Sequence, residues 1–496
     1  EGSLNYARTF GNHEVSALFL YNQSKTYYPW QNTEIPTAYV GYVGRLTYNY
    51  KQRYLLDLNA GYNGSENFAS GQRYGFFPAA SIGWILSEEP FMKQLKWLDF
   101  LKVRASYGLV GNDKYNGVRF LYLNDSWSAY NEAWSSLGTW QFGNQTSPSM
   151  LVGAVAERIG NKNVSWEKVK KQNYGIDIRM FNQQLSITAD LFFERRYDIL
   201  STRNTLPNIT DVQLPLINLG KVNNKGYEVT VGWNSKAGKV DYWLQANLSY
   251  SKNKIIYMDE VVPNYPWMAQ TGRSTGLNRG YLFDRFLSDS DFDENGSLKK
   301  DENGKQLTPV MALGNPRPGD ALFKDLNGDN VIDGNDITYF GYGERPEYVM
   351  GFMYGARWKN FELSMQWTGA WNASRILGKE YRTPFGESNS GAILKYLADN
   401  RWTPENQNAR FPRITFMNKT HYLTDSDLWM MDGSYLRLKT AELSYTFRNN
   451  PFLSKCGVSS LKFFVNGYNL LTLFSDLADI DIDPEGIAGY KNGQEK

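Results

Sequence analysis

Along Phe361-Glu362-Leu363-Ser364-Met365-Gln366-Trp367-Thr368-Gly369, each odd position up to Trp367 is large and apolar and each even position is polar. A period of two sends the two kinds of side chain to opposite faces of an extended strand. The same pattern recurs along the chain. Tyr54, Leu56, Leu58, Ala60 and Tyr62 alternate with Leu55, Asp57, Asn59 and Gly61. Val240, Tyr242, Leu244, Ala246, Leu248 and Tyr250 alternate with Asp241, Trp243, Gln245, Asn247 and Ser249. Tyr174, Ile176, Ile178 and Met180 oppose Asn173, Gly175, Asp177 and Arg179. Further strands are predicted around 185–193, 227–233, 348–358, 435–447 and 461–470. Tyr, Trp and Phe gather near strand ends, where an aromatic girdle at a membrane interface would place them.

A sandwich or propeller also alternates, because one face packs a core and the other meets water. The connections separate the cases. Short ones are predicted at 11–13, 51–53, 87–100, 181–183, 234–239, 359–360 and 448–460, and long ones at 22–40, 63–74, 111–167, 196–221, 252–347 and 372–433. Short and long take turns throughout, which is the plan of an outer-membrane barrel with tight periplasmic turns and long extracellular loops. Seven short turns, each joining two strands, predict 14 strands. With that parity both chain ends fall on the extracellular side, whereas bacterial barrels keep them in the periplasm. The expected fold is therefore all-β, a transmembrane antiparallel β-barrel, with residues 1–496 forming an internal portion of a larger one.

Composition supports strands. The 34 Tyr, 27 Phe, 15 Trp and 44 Gly suit pleated surfaces and tight turns better than helices. A net charge of +2 gives nucleic acid no electrostatic footing as a partner. One cysteine, Cys456, excludes an intramolecular disulfide framework, and His13 and His421 are too few for an imidazole-based zinc centre. No apolar run approaches the roughly 18 residues of a spanning helix, which leaves strands as the way across a membrane.

Three segments near the start carry a resemblance: Gly44-Arg45-Leu46-Thr47-Tyr48-Asn49-Tyr50-Lys51-Gln52-Arg53-Tyr54-Leu55-Leu56, then Arg73-Tyr74-Gly75-Phe76-Phe77-Pro78-Ala79-Ala80-Ser81-Ile82-Gly83-Trp84, then Leu101-Lys102-Val103-Arg104-Ala105-Ser106-Tyr107-Gly108. Further landmarks follow in order: Val164-Ser165-Trp166-Glu167-Lys168, Asn224-Lys225-Gly226-Tyr227-Glu228, Arg401-Trp402-Thr403-Pro404-Glu405-Asn406, Asp432-Gly433-Ser434-Tyr435-Leu436-Arg437-Leu438-Lys439 and Gly467-Tyr468-Asn469-Leu470-Leu471-Thr472. Together they resemble the SusC/RagA-type TonB-dependent outer-membrane transporters of Bacteroidetes. The resemblance implies a plugged barrel of about 22 strands. The strands here correspond to the later part of that barrel, without plug, TonB-contacting segment, first strands or closing strand, so this stretch alone is not expected to transport. The resemblance also implies TonB and a SusD-like surface lipoprotein as partners, and an oligosaccharide or peptide as ligand. Two rivals stand beside it. One is a barrel of this family acting as a scaffold or anchor in a larger outer-membrane assembly. The other is a secreted all-β carbohydrate-active enzyme, soluble without detergent and carrying a carboxylate pair about 5 to 10 Å apart.

Candidate sites lie in the long loops. From Asp325 the spacing follows a calcium-binding loop: Asp325, Asn327 and Asp329 at positions 1, 3 and 5, the Val331 carbonyl at 7, Asp333 at 9 and Asp336 at 12. Asn330 replaces the usual glycine at position 6, and Asp336 is shorter than the usual bidentate Glu. The expectation is a structural Ca2+ that stiffens the 252–347 loop for docking a lid; the alternative is an acidic loop held by Asx turns. A second match, at Asp291, Asp293, Asn295, Gly296 and Glu302, overlaps the repeated Asp-Glu-Asn-Gly at 293–296 and 301–304, which predicts two exposed turns. Trp127, Tyr130, Trp134 and Trp140 form an aromatic loop suited to a ligand or partner surface. Glu88 and Glu89, and Asp479, Asp481 and Asp483, are expected to be solvated turn charges. No catalytic constellation is assigned, and an enzyme is not expected.

Overall fold

Strands form where the alternation places them, because each can bury its backbone in neighbouring ladders while showing one apolar face outward. The computed structural model describes residues 1–27, 36–115, 118–124, 127–129, 139–142, 149–152, 154–156, 159–205, 214–311, 316–386, 391–416, 420–448 and 451–486. The strands are β1 Gly2–Phe10, β2 His13–Thr26, β3 Thr37–Tyr50, β4 Tyr54–Ser65, β5 Tyr74–Ile85, β6 Leu98–Asn112, β7 Glu167–Met180, β8 Leu185–Ser201, β9 Ile217–Ala237, β10 Val240–Tyr257, β11 Tyr348–Trp358, β12 Phe361–Trp371, β13 Tyr435–Arg448 and β14 Ser460–Leu473. They form one 14-stranded sheet in strict sequence order, as the turn count predicts.

The chain divides into two units, residues 1–227 with 253–261, and residues 228–252 with 262–496. In the first, β1 to β8 pair antiparallel strand by strand. In the second, β10 to β14 do the same. In the three-residue turn from β3 to β4, Lys51 (φ 53°) and Gln52 (φ 54°) lie in the left-handed region, the twist-matching geometry of tight hairpins, and the Arg53 amide donates to the Tyr50 carbonyl at 3.0 Å. Several strands outrun their alternating segments. β9 spans 21 residues although only 227–233 carries a clear period, because ladder pairing continues through Lys221, Asn223, Asn224 and Lys225 beyond the apolar stretch.

Buried hydrophobic clusters lie mostly among the residues of the long connections. In the first unit Phe68, Phe77, Leu121, Val164, Trp166, Leu200 and Leu216 pack together. In the second, one cluster joins Phe286, Leu397, Trp402, Phe411, Tyr422, Leu428 and Trp429, and another joins Leu287, Phe292, Leu298, Leu322, Phe323 and Ile332. The 252–347 connection, patternless in sequence, is thus a small folded body. Phe283–Phe286 pairs with Ala321–Phe323, and Leu277–Gly280 pairs with Thr338–Gly343. Burying each of its large apolar side chains contributes about 1.5–3 kcal/mol.

Candidate functional site

The sheet has two chemically distinct faces. On one face of the first unit, register stacks Tyr50, Tyr54 and Trp84 near the short turns, with ring centroids 6.3 and 6.2 Å apart. Towards the long loops the same face carries Tyr21, Tyr42, Tyr62 and Tyr74 at successive spacings of 5.1, 6.4 and 4.9 Å. Between these rows Phe19, Leu46, Leu58 and Ile82 are exposed, Ile82 by 61%. From Tyr54 to Tyr62 the strand rises about 27 Å, or about 20 Å along the normal of a barrel tilted by about 40°. That spans most of the apolar band of an outer membrane, about 25 Å tall, bounded by aromatic girdles. The second unit repeats the lower girdle as Trp358, Phe361, Tyr445, Phe447 and Phe463 in successive ring contact. A continuous apolar surface of this kind needs lipid against it.

The opposite face is polar and ion-paired. Arg45 Nη2 lies 2.6 Å from Asp57 Oδ2, and Asn49 donates to Glu14 at 2.8 Å. Arg104 reaches across β7 to Asp190 at 2.6 Å, and on the way donates to Asp177 and Asn173, each at 3.3 Å. Gly175 makes that crossing possible, since a Cβ there would fall 2.5 Å from Arg104 Cζ. A hollow of about 250 Å³ on this face is lined by Thr47, Asn49, Asp57, Ser81, Lys102 and Arg104, among others. In the second unit Arg357 pairs with Glu362 at 2.6 Å and Lys462 with Glu442 at 2.7 Å. Apolar and ion-paired faces on opposite sides of one sheet are the pattern of an outer-membrane barrel wall.

Among the turn carboxylates, Glu89 departs from the sequence expectation. Glu88 is exposed as expected, but Glu89 is buried. It accepts from the Tyr54 hydroxyl at 2.7 Å, the Trp84 indole at 3.1 Å and Arg53 at 3.3 Å, and so ties down the lower girdle. The Tyr54 bond first, and the Trp84 bond next, hold its carboxyl below the usual carboxylate range. Asp479, Asp481 and Asp483 are exposed as expected, and Asp483 also lies 2.8 Å from Arg437 Nη1. Tyr54 and Arg53 stand 35 and 36 residues from Glu89, beyond the reach of local pattern.

The loop 325–336 folds as a nest of Asx turns. Asp325 accepts from the amides of Gly328 and Asn330, each at 2.7 Å, and Asp329 accepts from Val331 at 2.8 Å. Asn330 has φ 70°, so asparagine supplies the sharp turn that glycine makes at position 6 of a calcium loop. Asp333 caps the short turn Gly334–Asp336, accepting from Asn335 at 2.7 Å. Asp336 is fully buried, with its oxygens on the amides of Leu326 and Asp333. Asn327 donates from its amide to Asp329 at 2.8 Å. Among the described residues, no group of three or more His, Cys, Asp or Glu side chains converges as a ready metal cage. At the second match, Asp293 and Asp301 each cap their own Asn-Gly turn, as expected. Asp291 is buried against Arg285, whose two nitrogens sit 2.7 and 2.6 Å from its oxygens, and those bonds hold its carboxyl at about 2. In the aromatic loop, Tyr130 and Trp134 lie outside the described residues; Trp127 and Trp140 fall in the short strands Trp127–Ala129 and Thr139–Phe142.

No family model matches the chain. Among curated proteins it is similar to TonB-dependent receptor P26 of Formosa agariphila, with 30% identity over 466 residues, covering 91% of this chain and 43% of that protein. TonB-dependent receptor P3 of the same organism is 28% identical over 505 residues, covering 99% of this chain and 46% of that protein. TonB-dependent receptor SusC of Bacteroides thetaiotaomicron is 25% identical over 445 residues, covering 86% of this chain and 39% of that protein. The chain is thus similar to TonB-dependent receptors, SusC among them. Its strands superpose on the solved RagAB peptide transporter with a TM-score of 0.70 at 17% identity, covering 96% of this chain and 51% of that one. The likeness shows the fold, part of a transporter-type β-barrel, and the curated relatives place it in the outer membrane. The chain spans less than half the length of the curated relatives it matches.

Proposed function

We propose that the full-length receptor imports a bulky nutrient, an oligosaccharide or a peptide, with energy relayed by TonB and with a SusD-like lipoprotein closing over the long loops. The two-faced wall carries this reading, because a lipid belt backed by an ion-paired polar face suits a wide aqueous passage and serves no soluble enzyme. The names of the relatives support it: three are TonB-dependent receptors, and the RagAB structure is that of a peptide transporter. On this reading Trp127, Tyr130, Trp134 and Trp140 offer stacking surface to ligand or lid. The loop 325–336 takes a structural Ca2+ through the remaining lone pairs of Asp325, Asn327, Asp329 and Asp333 and the Val331 carbonyl, with Asp336 locking the fold beneath. Uptake of labelled oligosaccharides and peptides by cells carrying the full-length receptor, with and without TonB, tests the import reading. TonB-dependent uptake of one class is expected. Absence of uptake, with surface proteins still co-purifying, would favour the scaffold.

A further inference from the structure

Arg437 and Lys439 take their carboxylates from a segment that follows the last strand. The pairs Arg45–Asp57, Arg104–Asp190, Arg357–Glu362 and Lys462–Glu442 are all closed between residues of the strands themselves. Arg437 on β13 is held within the wall only through Nε, which donates to Thr472 of β14 at 2.9 Å. Its Nη1 faces Asp483 at 2.8 Å and Glu485 at 3.2 Å, carboxylates from the segment that follows β14. Lys439 also pairs with Glu485, and Thr368 of β12 donates to that carboxylate at 2.9 Å.

Three details mark this as a site with a replaceable occupant. The Arg437 side chain is only 7% exposed whereas that of Asp483 is 58% exposed, so the cation lies beneath and the anion on the solvent side. Nη1 is buried and finds no aligned hydrogen-bond acceptor, so the carboxylates neutralise its charge without meeting its donor direction. Lys439 is the unpaired residue of a bulge against β12, and the register also shifts beside it against β14, a device that re-aims a side chain. The anchor of the following segment is separate: Leu477 packs with Leu377 and Met431, joined by Ile480 and Ile482. Apart from the cations and Thr368, the Asp483-Pro484-Glu485 turn is tied by the Asx bond from the Glu485 amide to Asp483, the Gly486 amide on the Asp483 carbonyl, and the bond from Arg375 to the Pro484 carbonyl.

We propose that Arg437, Lys439 and Thr368 form a carboxylate receptor on the polar face, and that the Asp483-Pro484-Glu485 turn is its internal occupant, displaced by carboxylate-bearing cargo. The inference rests on the import reading for the word cargo; the site itself does not. A buried guanidinium beside an ammonium and a hydroxyl donor is suited to one carboxylate group, whether from an acidic saccharide or an acidic peptide.

Calorimetry on the full-length receptor in detergent tests it, with trigalacturonate and tri-glutamate as probes and maltotriose as the neutral control. The D483N/E485Q double variant removes the internal anion while keeping its shape. It is expected to bind at least one acidic trimer about tenfold more tightly, the factor released when a competitor filling the site roughly nine-tenths of the time is removed. Tightening for trigalacturonate alone assigns an acidic saccharide, and for tri-glutamate alone an acidic peptide. K439M, on a partly exposed bulge that folding tolerates, should weaken the same probe in the D483N/E485Q background, and R437Q should abolish its binding. Equal affinities in wild type and double variant, absent binding, or an equal gain for maltotriose would overturn the proposal. Tightened acid binding in a receptor that fails the uptake test would remove only the import reading.

Discussion

Gly175 has no side chain because the Arg104 guanidinium crosses directly over it to reach Asp190. Replacing Gly175 with Val should push the guanidinium off its carboxylates and strand their charges, costing about 1–3 kcal/mol in barrel stability. Loss of heat-resistant mobility on gels at a lower temperature than wild type would report it. Asp291 provides a second test at this scale. Its carboxyl is held at about 2 by Arg285, below its ordinary value, so its contribution to stability is present above pH 4 and fades as pH falls towards 2. Because Arg285 is partly exposed, screening reduces that contribution to about 1 kcal/mol. Protease nicking of the 252–347 loop should rise between pH 4 and pH 3, and D291N should show the same rise at pH 7. Neither residue was legible from sequence. The glycine reads locally as a weak strand position, and Arg285 joins Asp291 inside a stretch with no period to orient it.

Among elements, the membrane strands were legible because lipid on one face and water on the other impose a period of two, and because turn and loop lengths segregate by end. β4 and β12 fall where Tyr54 to Tyr62 and Phe361 to Gly369 alternate. Strand ends beyond the apolar belt were not, since pairing there is a backbone matter with no side-chain signature. The loop cores were hidden for another reason: Phe286, Trp402, Phe411 and Trp429 pack together although they are spread over the loops 252–347 and 372–433. The turn chemistry of 325–336 could be read, because Asx residues act on neighbours only two to five positions away. Replacing Asp325 and Asp329 with Ala removes the acceptors for the amides of Gly328, Asn330 and Val331. The double variant should become susceptible to protease within that loop and lose lid affinity while the barrel stays folded. If Ca2+ contributes, EGTA should produce part of the same effect in wild type and none in the variant.

At the scale of the whole molecule, the faces of the sheet decide what the chain is for. Tyr54, Leu56, Leu58, Ala60 and Tyr62 stand on one face of β4, and Asp57, Asn59 and Gly61 on the other. The lower girdle, the upper girdle and the ion-paired wall all follow from that single alternation carried through register from strand to strand. Single cysteines along β4 of the full-length receptor in outer-membrane vesicles, with the exposed Cys456 replaced by Ser, test it most directly. Cysteines at 56, 58 and 60 should resist a water-soluble maleimide and quench with a lipid-phase probe, while those at 57, 59 and 61 should label from water. Uniform labelling of both sets, or a receptor that stays monodisperse without detergent, would contradict the account.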